Sequence, residues 1–363
     1  MVKQAKPARH AFDFAVSRRI FLKAATVFTG SLLFSPLHLV QAESDVFSAE
    51  TIIKRKRQLD RYRETLKMSL KHGSLPIIDV EHHWGGKLPL KELIDKMDRN
   101  GIALTWLGAN ERNGSHSSIE ACSQFPYRLV PTTIHGDGPR WHGKDLSLVR
   151  ELAQAVRSGE YFAMGEFEAR HYVSSTNDRN IHMPLDSDSF HGVFKLAEET
   201  GMPFALHHEA EDVLLPELEK MLSIYPRATV IWCHVGRNRD PKKWTVLPSP
   251  AGVRSFLQKF PNLYFDIVQG GPGNLFPPTG ARESILYEDA DGPPRLKGEW
   301  AQLFNVFADR FVIGSDVNTG RWDSYDKVMF RLRTAVLGVL EPTAAEKIAF
   351  KNAWYLMSGE EWV

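Results

Sequence analysis

Six side chains able to bind a divalent metal stand at or near the ends of apolar, strand-like runs: Glu81, His83, Glu166, His207, His234 and Asp316. The first two belong to Ile77-Ile78-Asp79-Val80-Glu81-His82-His83-Trp84, which an apolar run enters and a Gly85-Gly86 pair leaves. That is the pattern of a short buried strand that stops abruptly. Alternate residues share a strand face, so Glu81 and His83 point one way and His82 the other. A carboxylate beside an imidazole can hold a divalent metal. Glu166 lies in Ala163-Met164-Gly165-Glu166-Phe167-Glu168, and His207 and His208 close Pro203-Phe204-Ala205-Leu206. His234 closes Val230-Ile231-Trp232-Cys233, and Asp316 closes Val312-Ile313-Gly314-Ser315. A single His at a strand end is ordinarily hydrogen-bonded structure. Ligand types closing several separate runs point to one metal site.

Such residues meet only if the runs end at a common rim. Apolar runs occur near 76–83, 102–108, 128–134, 161–168, 203–208, 228–234, 263–268 and 311–316, with helical patterns at 88–100, 145–158, 190–200, 214–225 and 251–260. Gly101 and Gly201 follow the last turns of two of these helices, the position of a C-terminal cap. Eight strands alternating with helices, and no dinucleotide-type glycine fingerprint after the first, predict an α/β fold, the (β/α)8 TIM barrel. A doubly wound open sheet is the alternative. Residues 269–298, rich in Gly and Pro, leave the seventh strand as a long loop, and such a loop at a barrel mouth shapes or covers the pocket. At strand five, alternation groups Ala205 with His207 and Leu206 with His208; the smaller pair suits the crowded interior, so His207 is the expected inward residue.

The chain opens with an address. Ser17-Arg18-Arg19-Ile20-Phe21-Leu22-Lys23 is a twin-arginine pattern, an apolar stretch follows over 24–40, and small residues offer a cut after Ala42. Residues 1–42 therefore read as an export signal removed from the mature protein, and the broken, short apolar run argues against a stable membrane anchor. Residues 43–75 form a Lys/Arg-rich helical extension and 76–363 the barrel. The expected location is periplasmic or secreted. A net charge of +1 gives no reason to expect nucleic-acid binding. Two cysteines, Cys122 and Cys233, are expected free, because a protein folded before export does not rely on a disulfide. The partners to expect are a small-molecule substrate and, for the precursor, the twin-arginine export machinery, with a homo-oligomer left open.

In these motifs the chain resembles the amidohydrolase superfamily, and most closely its amidohydrolase-2 branch. The matching pieces are Ile77-Ile78-Asp79-x-Glu81-x-His83, Pro203-x-x-x-His207, His234, Phe265-Asp266, Gly314-Ser315-Asp316 and the closing Ile348-Ala349-Phe350-Lys351-Asn352-Ala353-Trp354-Tyr355-Leu356. The resemblance implies a site for one or two divalent ions at the barrel mouth, with ligands from strands one, five, six and eight; carboxylate-plus-imidazole ligation suits zinc, and manganese or iron nearly as well. Glu81 departs from the His that begins most members' motif, and a Glu-x-His start also occurs in relatives that decarboxylate aromatic acids without oxidation. Gly165-Glu166 resembles a strand-four ligand that bridges two metals in other relatives; hydrogen bonding from behind the ligands is the other role open to Glu166.

The expected chemistry is hydrolysis by metal-activated water on an ester, lactone, amide or related bond. Asp316 accepts the water's proton, and His234 binds a second ion or polarises the scissile bond. Trp84, Arg170 and Arg237, with His171 and Asn318, follow strand ends and are candidates for substrate contact. The alternatives are a metal-dependent decarboxylase of an aromatic acid and a non-catalytic binding protein.

Overall fold

A computed structural model describes residues 47–86, 89–114, 116–173, 179–288 and 292–363. The twin-arginine signal, 1–42, lies outside the described residues. Eight parallel strands form the centre: β1 (Ile77–Trp84), β2 (Ile102–Ala109), β3 (Leu129–Pro131), β4 (Met164–His171), β5 (Phe204–His208), β6 (Val230–Trp232), β7 (Leu263–Asp266) and β8 (Phe311–Val312). β1, β2 and β3 make one ladder, and β4, β5, β6, β7 and β8 another, to which the short strand Ile181–His182 adds antiparallel on β4. Isolated parallel bridges join the two. Thr132 pairs with Ala163 and Gly136 with Phe167 on one side; Asp79 pairs with Ile313 and His82 with Val317 on the other. The backbone bonds there are ordinary in length, Val80 N to Ile313 O at 2.9 Å and Thr133 N to Ala163 O at 3.1 Å. The ring therefore closes, as the alternation of strands and helices predicts.

Several strands are shorter than their apolar runs. β3 ends at Pro131, which has no N–H to give a ladder. β6 ends at Trp232 because His234 and Val235 adopt left-handed backbone, φ 61° and 55°. Asp316, at φ 50°, turns the chain after β8 in the same way. Within β4, Gly165 has φ 81°, and a Cβ there would lie 2.9 Å from Ala205 O and 2.8 Å from the Phe167 ring. The register shifts at this point, the mark of a bulge that re-aims the residue after it.

The helices that pack on this ring are α1 (Ala49–Lys71), α2 (Leu90–Asn100), α3 (His116–Gln124), α4 (Leu146–Arg157), α5 (Asp188–Thr200), α6 (Leu215–Ile224), α7 (Pro250–Lys259), α8 (Gly298–Val306) and α9 (Tyr325–Arg331). Of these, α2, α4, α5, α6 and α7 follow the expected spans closely, and α3, α8 and α9 lie outside them. Gly101 and Gly201 take left-handed conformations at the C-termini of α2 and α5. The core lies between strands and helices and is strongly aromatic. Trp232 packs on Phe265, with ring centroids 5.4 Å apart, and on Phe256 of α7 at 5.7 Å. Phe204 packs on Phe194 of α5 at 4.9 Å. Because Trp232, Phe265 and Phe204 face the helices, their strand neighbours face the barrel axis.

α1 lies at the opposite end of the barrel from the ligand-bearing strand ends. Tyr62 donates to Leu129 O at the start of β3, and Arg55 donates to Gly159 O and Tyr161 O just before β4. Its buried face is Arg55, Tyr62 and Leu66, whereas Ile53 and Leu70 are exposed. Cys122 and Cys233 are both buried and free. Among the described residues no helix is long and apolar enough to cross a membrane.

Candidate metal centre

The alternation of β1 turns Asp79, Glu81 and His83 inward and His82 outward, where its ring meets the edges of Trp322 and Tyr325. Glu166, one residue past the Gly165 bulge, also faces inward. On β5, His207 faces the axis, while His208 is buried on the outer side against Trp232. The left-handed turns after β6 and β8 bring in His234 and Asp316. All six candidate ligands are thus gathered at the C-terminal ends of the strands, the face at which barrel sites are built.

Their separations are short. His207 Nδ1 lies 2.9 Å from Glu166 Oε1 and 3.1 Å from His234 Nε2. His83 Nε2 lies 3.3 Å from Glu166 Oε2, 3.5 Å from Asp316 Oδ1 and 4.0 Å from Glu81 Oε1. His234 Nε2 is 3.9 Å from both Glu81 Oε1 and Asp316 Oδ2. Ligand atoms of Glu166, His207 and His234 all fall within 4.8 Å of one another, as do those of Glu81, His234 and Asp316, and those of His83, His135 and Glu166.

The electrostatics of this cluster are unbalanced. Burial, and then the carboxylates Asp266, Glu166 and Asp316, push the Glu81 carboxyl well above its usual range. Burial also opposes the charge of Glu166, but His207, His83 and His234 outweigh it and hold that carboxyl well below the usual range. For His207, burial lowers the affinity for a proton, yet Glu166 and Glu209 bring it up to about 9. Neither Glu81 oxygen, nor His83 Nε2, has a hydrogen-bond partner by distance and angle. Buried polar atoms left in that state are costly unless something pairs with them. Carboxylates and imidazoles converging within 4.8 Å fit a divalent cation.

Some participants escaped the sequence reading. His135 accepts a hydrogen bond from Glu166 N at Nδ1, 3.0 Å, and its ring lies 4.3 Å from that of His83. It directly follows the third apolar run, so the criterion that found His234 applied equally to it. Asp266 enters the sequence reading only within the Phe265-Asp266 motif, with no role; it receives His234 N at 3.1 Å and Val268 N at 2.9 Å. Arg321 grips Asp316 with both terminal nitrogens, 3.0 Å to Oδ2 and 2.5 Å to Oδ1. No spacing rule announces that pair.

Above the cluster opens a cavity of about 480 Å³, lined among others by His83, Glu166, His171, His207, Arg237 and Asp316. Arg237, His171 and Asn318 border it, and so does Gln269 of the long loop. Trp84 and Arg170 are not among its lining residues. Arg170 is used elsewhere: it pairs with Glu211 at 2.5 Å, donates to Ile181 O at 2.9 Å and lies 3.9 Å over the Tyr172 ring. A second cavity of similar size lies under α1, lined by Arg55, Gln58, Tyr62 and Phe162, far from the ligands.

No curated protein matches the sequence. Among solved structures, an amidohydrolase from Burkholderia multivorans with bound zinc shares 13% identity over 78% of this chain and 99% of its own, with a TM-score of 0.45. Dihydroorotase from Campylobacter jejuni shares 14% identity over 77% of this chain and 82% of its own, with a TM-score of 0.47. A variant of an organophosphorus hydrolase shares 13% over 78% and 92%, with a TM-score of 0.48. The model of the amidohydrolase family Amidohydro_2 matches residues 144–354, from the start of α4 almost to the C-terminus. With that match over more than half of its length, the chain belongs to the amidohydrolase family and is an enzyme, a metal-dependent hydrolase.

Proposed function

We propose that the protein is an exported hydrolase that uses water to cleave an ester, lactone, amide or related bond of a small molecule. The observation that carries this reading is the buried cluster in which both Glu81 oxygens and His83 Nε2 lie among other ligand atoms yet have no hydrogen-bond partner by distance and angle. Glu81, His83, Glu166, His207, His234 and Asp316 would hold two divalent ions. Glu166 belongs both to the group with His83 and to the group with His207 and His234, so it would be available to either ion. Mixed carboxylate and imidazole ligation suits zinc, with manganese or iron nearly as well. When bound, such an ion supplies a Lewis acid and brings the pKa of water toward neutrality.

The chain itself supplies the proton acceptor and the orientation. Burial disfavours the charged form of Asp316, but Arg321 and His234 outweigh it and keep the carboxyl well below its usual range. It therefore stands ionised, ready to take a proton from the attacking water and return it to the leaving group. Arg321 also makes Asp316 a weak base, so the acceptor suits a water already made acidic. His234 is fixed from behind: Asp266 accepts from its N–H, and Gln269 Nε2 donates to its carbonyl at 2.8 Å. So held, His234 would offer its Nε2 either to a second ion or to the scissile bond.

The leader reading completes the proposal: a twin-arginine signal sends the folded, metal-loaded precursor to the periplasm or beyond. Stripping with a chelator should abolish hydrolysis of a panel of nitrophenyl esters, lactones and anilides, and zinc should restore it. Full activity in metal-free protein would overturn the mechanism. Release of carbon dioxide from aromatic acids, with none of these bonds cleaved, would replace it by decarboxylation.

A further inference from the structure

Three buried or half-buried cations on the cavity wall already have carboxylate partners. Arg239 pairs with Glu209 at 2.6 Å, Arg179 lies 3.6 Å from Glu168, and Arg321 holds Asp316. Arg237 and Arg331 do not: among the described residues no carboxylate oxygen comes within the 4.0 Å of an ion pair to either. Both are more than nine-tenths buried, at 7% and 6% exposure, and both border the cavity. Arg331 at least donates to Gln269 O at 2.8 Å and lies over the Tyr287 ring. Arg237 has no hydrogen bond from its guanidinium to any described residue, and its Nε is buried and unpaired.

Glu209 feels the charge of Arg237 only from beyond ion-pair distance, and a guanidinium buried with no anion in contact is an expensive arrangement in a resting protein. Its position is not incidental. Arg237 leaves the same turn that aims His234, with its N–H bonded to His234 O at 3.1 Å, and its charge is felt at His234 and His171. Gln269 ties the two cations into one wall, since its side chain holds the His234 carbonyl and its own carbonyl receives Arg331. That wall faces a cavity of about 480 Å³, room for a small molecule.

We infer that the substrate is a carboxylate, and that Arg237 pairs with its anionic end, with Arg331 adding to the field from the same wall. This deepens the hydrolase reading and rests on it. The planar fork of an arginine matches a carboxylate with two parallel bonds. The carboxylates already lining the cavity, Glu166 and Asp316 among them, repel a dianionic phosphate more strongly than a single negative charge. With its anion against Arg237, the substrate's uncharged portion extends over the ligand cluster, where the bond to be cleaved must lie.

The test is binding, independent of turnover. Acetate, glutarate and benzoate are titrated calorimetrically against acetamide, glutaramide and benzamide, on zinc-loaded and on chelator-stripped protein. At least one carboxylate should bind about 10- to 100-fold more tightly than its amide, the range expected of a hydrogen bond to a charged partner. Arg237→Gln should erase that preference with metal content unchanged, and Arg237→Lys should keep part of it. The preference should persist in stripped protein, which separates pairing with Arg237 from coordination to a metal. A wild type with no preference for any carboxylate, or a preference that survives Arg237→Gln, overturns the inference. Should Arg237→Gln fail to fold, Arg237→Lys decides, because an undiminished preference there excludes the fork. Failure to cleave any ester, lactone or amide would sink the hydrolase reading separately, since none of these titrations depends on turnover.

Discussion

Gly314 is where the fold and the ligand set are most tightly bound together. It precedes Ser315 and Asp316 and lies directly beside Glu81 across the seam where β8 meets β1. A Cβ at 314 would stand 2.9 Å from Glu81 Cβ and 2.9 Å from Glu81 Oε2. Carbon atoms rest at about 3.5–4.0 Å, so Gly314→Ala must drive Glu81 away by about 0.6–1.1 Å. Overpacking of this kind costs about 1–3 kcal/mol. Relief by backbone movement is poor: Glu81 O receives Ser315 N, Asp316 N and Ser315 Oγ, so moving one strand end moves the other.

The larger consequence falls on the metal. Ligand distances in a working site hold to within about 0.2 Å, several times less than the displacement required. Loss of a supporting contact alone typically costs about 10–100-fold in affinity, and here a ligand itself is shifted. Gly314→Ala should therefore weaken zinc binding at least tenfold, measured by competition with a chromophoric chelator. Gly298→Ala is the control: it opens α8, and a Cβ there meets nothing within 4 Å, so neither melting temperature nor zinc affinity should fall. If Gly314→Ala melts lower but binds zinc within about threefold of wild type, well inside that range, Glu81 is not a ligand.

Other expectations follow from the same geometry. Asp316→Asn keeps the size and one ligating oxygen but removes the basic carboxylate; turnover should fall by about 10²–10⁴-fold with metal retained, and a loss below about threefold would remove Asp316 from proton transfer. Glu166→Gln should lower the metal content from two ions toward one and cripple turnover, whereas a wild-type content near one, unchanged in the variant, would leave Glu166 a hydrogen-bonding support for His207. Replacing Arg18 and Arg19 together by Lys should strand the precursor in the cytoplasm, followed by fractionation and immunoblotting; export at the normal rate would refute the leader reading.

How much of this was legible without coordinates depends on what each residue answers to. Strand order and helix spans follow from hydrophobic periodicity, which burial enforces over many residues at once. The inward direction of Glu81, His83 and His207 follows from the two-residue repeat of a strand, which a bulge such as that at Gly165 can override. Arg170 shows the limit: it follows a strand end, as a pocket residue would, but Glu211 lies 41 positions away in sequence and claims it at 2.5 Å. Arg321 was equally hidden, because its partner Asp316 already had a role that explained it. Long, flexible side chains choose partners by tertiary accident of distance, and no periodicity encodes that.

The least legible feature is also what makes the cluster possible. His234 and Asp316 sit at φ 61° and 50°, conformations that cost a non-glycine residue about 1–2 kcal/mol, so something must hold them. Each is held by a buried aspartate on the neighbouring strand. Asp266 on β7 accepts from His234 N, and Asp79 on β1 accepts from Ser315 N at 2.8 Å, just before Asp316. Burial pushes both carboxyls up to about 7, against the pull of these backbone N–H groups. In sequence, Asp79 and Asp266 stand only as parts of motifs, with no role attached to them. The structure gives them one: each ties down the turn that delivers a neighbour's ligand. Without them the two turns would relax toward extended backbone, and alternation would send His234 and Asp316 where the strand pleat dictates instead of over Glu81 and Glu166. The metal-binding geometry is therefore specified by pairs of adjacent strands, an acid on one and a ligand on the next. This is why motifs that are weak singly become specific together.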